Sequence, residues 1–169
     1  MPLTRRTFLT TGGLAAITLA ICGGAWHFSH PDKPAAFVLT TDAATILDAI
    51  IPAILAGALT DQSRIAATRA KVNQAILTLP LSAQQEVQGL FKLLAIGPVR
   101  KLLAGVPADW ASATPEQISR FLESWRHHRL QDLQVAYAAL HDLILSAWYA
   151  DPSSWPAMGY PGPMAALSQ

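Results

Sequence analysis

With 169 residues, 51% of them hydrophobic and 14% charged against a usual charged share of about 25%, the chain is no disordered polyelectrolyte, and its length suits one domain with appendages. Twelve Lys and Arg against eleven Asp and Glu give a net charge of +1 without a basic stripe, which argues against a nucleic-acid surface. The single cysteine, Cys22, excludes an internal disulfide and cannot by itself build a Cys-based zinc or iron–sulfur site.

Residues 1–28 read as an address. Thr4-Arg5-Arg6-Thr7-Phe8-Leu9-Thr10 supplies a charged start, and a moderately apolar run follows from Gly12 to Trp26. The pair Arg5 and Arg6, one residue, then Phe8 and Leu9 resembles the bacterial twin-arginine signal, which a receptor reads as an address and which exports proteins already folded. The simpler alternative is a basic flank that only sets membrane orientation. Three fates stay open for the segment. Phe8 to Trp26 is 19 residues, at the lower end of what spans a bilayer core, so it suits a retained anchor. Small residues at Gly23 and Ala25 suit cleavage after Ala25, which would leave ten basic side chains against eleven acidic ones. Leu19-Ala20-Ile21-Cys22 approximates a lipoprotein signal, although Ile21 is larger than the residue that normally precedes such a cysteine.

A short polar linker, residues 29–39, leads to a predicted helical domain over 40–151, because apolar residues recur at helical spacing and no stretch alternates with period two. Thr40 or Thr41 caps a first helix carrying Ala44, Leu47, Ile51, Ile54 and Ala58 on one stripe. Ile46, Ile50 and Leu55 widen that stripe, so this is the expected central helix. Pro52 should kink or end it near Ile50 or Ile51. A second helix is predicted from Asp61 to Leu79, with Ile65, Val72, Ile76 and Leu79 on one face and Pro80 as its stop. Ser82 with Gln85 has the capping-box spacing and opens a third, turning Val87, Leu90, Phe91 and Leu94 inward. A short piece with Val99, Leu102 and Leu103 lies between Gly97-Pro98 and Gly105-Val106-Pro107. Thr114-Pro115-Glu116-Gln117 is a helix start, followed by an inward face of Ile118, Phe121, Leu122 and Trp125. Leu133, Tyr137, Leu140, Ile144 and Trp148 predict a last helix over 131–150, separate from or continuous with its predecessor. The expected fold is all-α, an irregular bundle of about five or six helices, with an N-terminal signal or anchor helix and an extended Pro/Gly-rich C-terminal tail over 152–169.

Signs of chemistry are few. Glu123 and His127 share a helix face, but His128 would point about 100° away, and a metal site needs three or four converging ligands. Trp125-Arg126-His127-His128-Arg129 therefore reads as an exposed, positively charged helix face. No Gly-x-Ser-x-Gly elbow, Gly-x-Gly-x-x-Gly loop or Walker pattern occurs, and Cys22 falls in the leader. Asp42 and Asp48 as paired carboxylates lose to a simpler reading: the first suits a helix's opening turn and the second faces solvent. No catalytic, metal or cofactor-binding residue is assigned.

The tail holds Trp155, Met158 and Tyr160 among prolines and glycines, Trp155-Pro156-Ala157-Met158-Gly159-Tyr160-Pro161-Gly162-Pro163. Either these anchors fold back on their own bundle or they form a protein interface, laid down at low entropic cost by the stiff prolines. The Arg-Arg-Thr-Phe-Leu leader, the Leu39-to-Pro52 run ending Ala49-Ile50-Ile51-Pro52 and this tail together resemble the gluconate 2-dehydrogenase subunit 3 family. The resemblance implies a non-catalytic small subunit without a cofactor of its own. Its partners would be a large FAD-dependent dehydrogenase subunit of the glucose-methanol-choline type and a cytochrome c subunit, which often completes electron transfer. It implies export by the twin-arginine translocase, with the large subunit carried out folded on the small one, and residence in the periplasm at the inner membrane. Arg5, Arg6, Phe8 and Leu9 would then be the export signal, and Trp155, Met158, Gly159, Tyr160, Pro161, Gly162 and Pro163 the docking residues. The competing class is an independent, membrane-tethered helical binding protein of the cell envelope.

Overall fold

The computed structural model describes residues 35–155 and 159–160. The chain divides into two units, Met1–Ala35 and Ala36–Gln169, and the described residues belong almost wholly to the second. They contain six α-helices and no strand: α1 (Thr41–Ile54), α2 (Ile65–Leu77), α3 (Leu81–Ala95), α4 (Gly97–Val99), α5 (Pro115–Arg126) and α6 (Gln131–Tyr149). The all-helical class read from the periodicity holds. The leader with Arg5, Arg6, Phe8 and Leu9, and most of the tail, lie outside the described residues.

α1 starts because Thr40 is extended and its hydroxyl accepts the Ala43 N–H at 3.2 Å. It packs against α2, α3, α5 and α6, which makes it the centre of the bundle. Its innermost residues are Ala43, Ile46, Leu47, Ile50 and Ile51, whereas Ala44 and Ile54 are half-buried and Ala58 lies beyond its end. The stripe is thus rotated from the expected one, toward the line that carries the larger branched side chains. Pro52 sits inside the helix instead of ending it. It forfeits one backbone bond and crowds Asp48, at about 3 kcal/mol. Ile50, Ile51 and Leu55 are essentially fully buried at about 1.5–3 kcal/mol each, so continuing the helix wins.

The second predicted helix is shorter than Asp61 to Leu79. Asp61 caps a 3-10 turn, Gln62–Arg64, and α2 proper follows. α3 begins one residue before Ser82, on Pro80, and no side chain caps it, so Ser82 and Gln85 form no capping box. The neighbouring residue, Gln84, does the tertiary work there. It is buried, its Oε1 accepts the Phe37 N–H at 2.9 Å, and its Nε2 donates to the carbonyls of Leu77 at 3.2 Å and Leu79 at 2.8 Å. One amide thereby joins the segment that enters α1, the end of α2 and the start of α3.

α4 runs into a π turn, Arg100–Ala104, which ends at Gly105 in the left-handed conformation that favours glycine. Thr114 does build the predicted cap of α5. Its hydroxyl accepts the Gln117 N–H at 3.3 Å, and its own N–H donates to Gln117 Oε1 at 3.0 Å. Ile118, Phe121, Leu122 and Trp125 are all buried, with Phe121 edge-on between Trp110 and Trp125. A turn at His127–Leu130 separates α5 from α6, so the two are not continuous. Leu140, Ile144 and Trp148 form the buried face of α6, with Leu133 and Tyr137 half-buried. No described helix is long and apolar enough to cross a membrane.

Candidate functional site

The best-defined polar constellation lies where α6 ends beside the start of α2. Asp151 N-caps a 3-10 turn, Pro152–Ser154, its Oδ1 accepting the Ser153 N–H at 3.0 Å and its Oδ2 the Ser153 hydroxyl at 2.6 Å. The same carboxylate pairs with Lys71 and stands 3.5 Å from the Arg64 guanidinium. The Lys71 contact, reinforced by the Ser153 donors, holds the Asp151 carboxyl well below the ordinary carboxylate range. Arg64 also donates to Ser153 Oγ at 2.6 Å and lies over the Trp148 ring, 4.4 Å from its centroid. Ser154 is wholly buried, its hydroxyl within 2.8 Å of the Trp148 carbonyl and 2.7 Å of the Asp151 carbonyl. These contacts fix the root of the C-terminal segment. Its first residues, Pro152–Ser154, form this short turn in place of the extended chain expected from residue 152, and 156–158 and 161–169 lie outside the described residues.

From that root the first docking candidates are placed. Trp155 Nε1 donates to the Tyr149 carbonyl at 2.9 Å, which turns the indole back over the end of α6. Gly159, at φ +69°, permits the reversal that brings the Tyr160 N–H to the Trp155 carbonyl at 3.0 Å. The two rings then meet edge to face, 5.3 Å apart at 74°. Trp155 is half-buried and Tyr160 is 47% exposed, so the pair presents aromatic surface to solvent while anchored by one end. Met158, Pro161, Gly162 and Pro163 lie outside the described residues.

The histidine segment is arranged differently from the expected helix face. His127 ends α5 and His128 falls in the turn, where its Nδ1 accepts the Leu130 N–H at 3.1 Å. Trp125 is buried, as its place on the inward stripe of α5 predicts, and its indole N–H donates to the Leu103 carbonyl at 2.8 Å. His127 Nε2 does reach Glu123 Oε1 at 3.0 Å, on exposed side chains. His141 stacks on Tyr137 and stands 3.2 Å from Asp142. Among the described residues no three His, Cys, Asp or Glu side chains gather as metal ligands would. Asp42 occupies the first turn of α1 as expected, but Asp48 does not simply face solvent: it pairs with Arg69 of α2.

Reading the helices one face at a time missed a groove between α3 and α6. Both helices pack on α1 and α2, and the space left between them measures about 540 Å³. Its signal in the sequence is Ala83 and Glu86 beside the inward Val87 and Leu90 on α3, and a second helical face of Val135, Ala136, Ala139 and Leu143 on α6. The stronger inward stripes masked it.

No family model, curated protein or solved structure matches this chain.

Proposed function

We propose that the chain is the non-catalytic small subunit of a periplasmic FAD-dependent dehydrogenase of the glucose-methanol-choline type, held at the inner membrane, and that it assists folded export and assembly of its large partner. The observation that carries this reading is the union, in one small helical chain, of the Arg5-Arg6-Thr7-Phe8-Leu9 leader with the Trp155-to-Pro163 tail. A flavin held without a covalent bond must be loaded by a folded protein before translocation, and a twin-arginine route is the one that accepts such cargo. A subunit that supplies the address to cargo must hold it firmly. Buried or half-buried Trp and Tyr are the residue types that most often dominate such contacts. The Trp155–Tyr160 pair, pinned to α6 at one end and open to solvent at the other, has that character. FAD belongs to the large subunit in this scheme, and this chain carries no cofactor.

Affinity purification of the tagged full chain from its native membranes tests the proposal. A flavoprotein in equal amount, with an oxidised-flavin absorption band, is the expected companion. Recovery of the chain alone, in detergent that preserves other envelope complexes, would return it to the class of independent envelope binding proteins.

A further inference from the structure

We propose that the groove between α3 and α6 is a docking site for an amphipathic helix of a partner protein, one whose apolar face is flanked by Lys or Arg. This surface is separate from the aromatic pair at the end of α6, and the proposal does not depend on the partner being a flavoprotein.

Shape comes first. The α6 wall, from Asp132 to Ser146, runs about 21 Å at 1.5 Å per residue, the length of a helix of about 14 residues. Along it Val135, Ala136, Ala139 and Leu143 recur at steps of one, three and four, on a face that the bundle leaves open. Val135 is 59% exposed, and on the opposite wall Leu90 is half-buried beside the buried Val87. An outward helix face is ordinarily polar, so this one is an apolar strip that is unpartnered among the described residues. Small side chains at Ala83, Ala136 and Ala139 allow a third helix axis to approach to about 8–10 Å.

Charge selects the occupant. Glu86, Asp132 and Asp142 rim the groove, and among the described residues no Lys or Arg lines it. Glu86 and Asp132 make no ion pair among the described residues. A rim of one sign around an apolar floor repels an anionic membrane surface and nucleic acid. It also disfavours a symmetric pairing of two copies, which would set the acidic rims against each other. A helix with apolar anchors at i, i+3, i+4 and i+7 and basic flanks satisfies both floor and rim.

The test uses the full chain and two fluorescein-labelled helical peptides of about 14 residues. Both have Leu and Ala on one face, with Lys flanking that face in one and Glu in the other. Anisotropy should show the Lys peptide binding, more weakly as salt rises from about 0.05 to about 0.5 M. Ala139→Arg, an exposed change to a good helix former, should weaken it at least about tenfold at unchanged helicity. Glu86→Lys with Asp132→Lys should weaken the Lys peptide and admit the Glu peptide. Equal binding of both peptides, or an affinity indifferent to Ala139→Arg and to the charge reversal, would overturn the proposal. So would a chain that self-associates and is made monomeric by Ala139→Arg.

Discussion

Arg64 lies over the ring of Trp148, its guanidinium carbon 4.4 Å from the indole centroid, while one of its nitrogens donates to Ser153 Oγ at 2.6 Å. The start of α2 is thereby tied both to the last buried turn of α6 and to the segment beyond it. Lys71 and Asp151 add an ion pair across the same junction. The aromatic pair at Trp155 and Tyr160 therefore projects from a braced root.

Asp151→Asn should lower the thermal midpoint of the isolated chain, by about 1 kcal/mol in stability at neutral pH, since an exposed pair contributes less than that and hydrogen bonds to a charged group contribute more. The folded carboxyl titrates below its ordinary 3.8, so as pH falls the unfolded state takes up the proton first. The contribution is full above the ordinary range and drains away below about pH 4. Stability measured against pH should accordingly fall less steeply on the acid side in the variant than in the parent chain. Parallel acid limbs would contradict the role given to this carboxylate.

Gln84→Ala strands three backbone groups at once, the Phe37 N–H and the carbonyls of Leu77 and Leu79. Each buried group left unpaired costs about 1–3 kcal/mol, partly recovered by water at the rim. A loss of about 2 kcal/mol or more in urea denaturation is expected, together with faster hydrogen exchange at the Phe37 amide. An unchanged exchange rate there would show that the Phe37 bond does not form in solution.

The orientation of α1 is tested by comparing Ile50→Ala with Ile54→Ala. Ile50 is wholly buried, and its truncation should cost about 2–5 kcal/mol; Ile54 is only half-buried and should cost clearly less. Equal losses would restore the stripe through Ile54 and Ala58 that the spacing alone suggested.

What was legible in the sequence was what local chemistry decides. Thr114, Pro115 and Gln117 form their cap from four consecutive residues, and the apolar steps from Ile118 to Trp125 can face only one way. Ser82 and Gln85 have the same spacing as that cap, yet the helix starts on Pro80 because the buried amide of Gln84 reaches elements 47 residues away, which no local pattern encodes. Of the two outcomes expected at Pro52, a kink or an end, the end does not occur for a similar reason: the local penalty is overridden by burial of its neighbours. His128 was placed on a helix because nothing in Arg126-His127-His128-Arg129 marks the turn that separates α5 from α6. Of the candidate docking residues, Trp155 and Tyr160 stand out in the sequence by their type and their Pro/Gly-rich setting; their mutual contact depends on Gly159 and on a carbonyl at the end of α6.

Trp155→Ala with Tyr160→Ala separates an interface from a packed terminus. As interface anchors each would cost about 2 kcal/mol or more in binding, and two such losses amount to about a thousandfold if they add. Co-purification of the partner should collapse while the thermal midpoint of the isolated chain moves little, because Tyr160 is half in solvent already. Undiminished co-purification with a large drop in midpoint would assign the pair to the bundle itself.

Most direct for the central claim is the location of the flavoprotein when it is produced together with this chain and with its Arg5→Lys, Arg6→Lys variant. Ammonium groups do not reproduce the guanidinium geometry that the twin-arginine receptor reads. FAD-containing dehydrogenase activity is predicted in the periplasm with the parent chain and retained in the cytoplasm, together with this chain, when both arginines are replaced. Export of the flavoprotein at normal yield with the variant, or in the absence of this chain, would contradict the account.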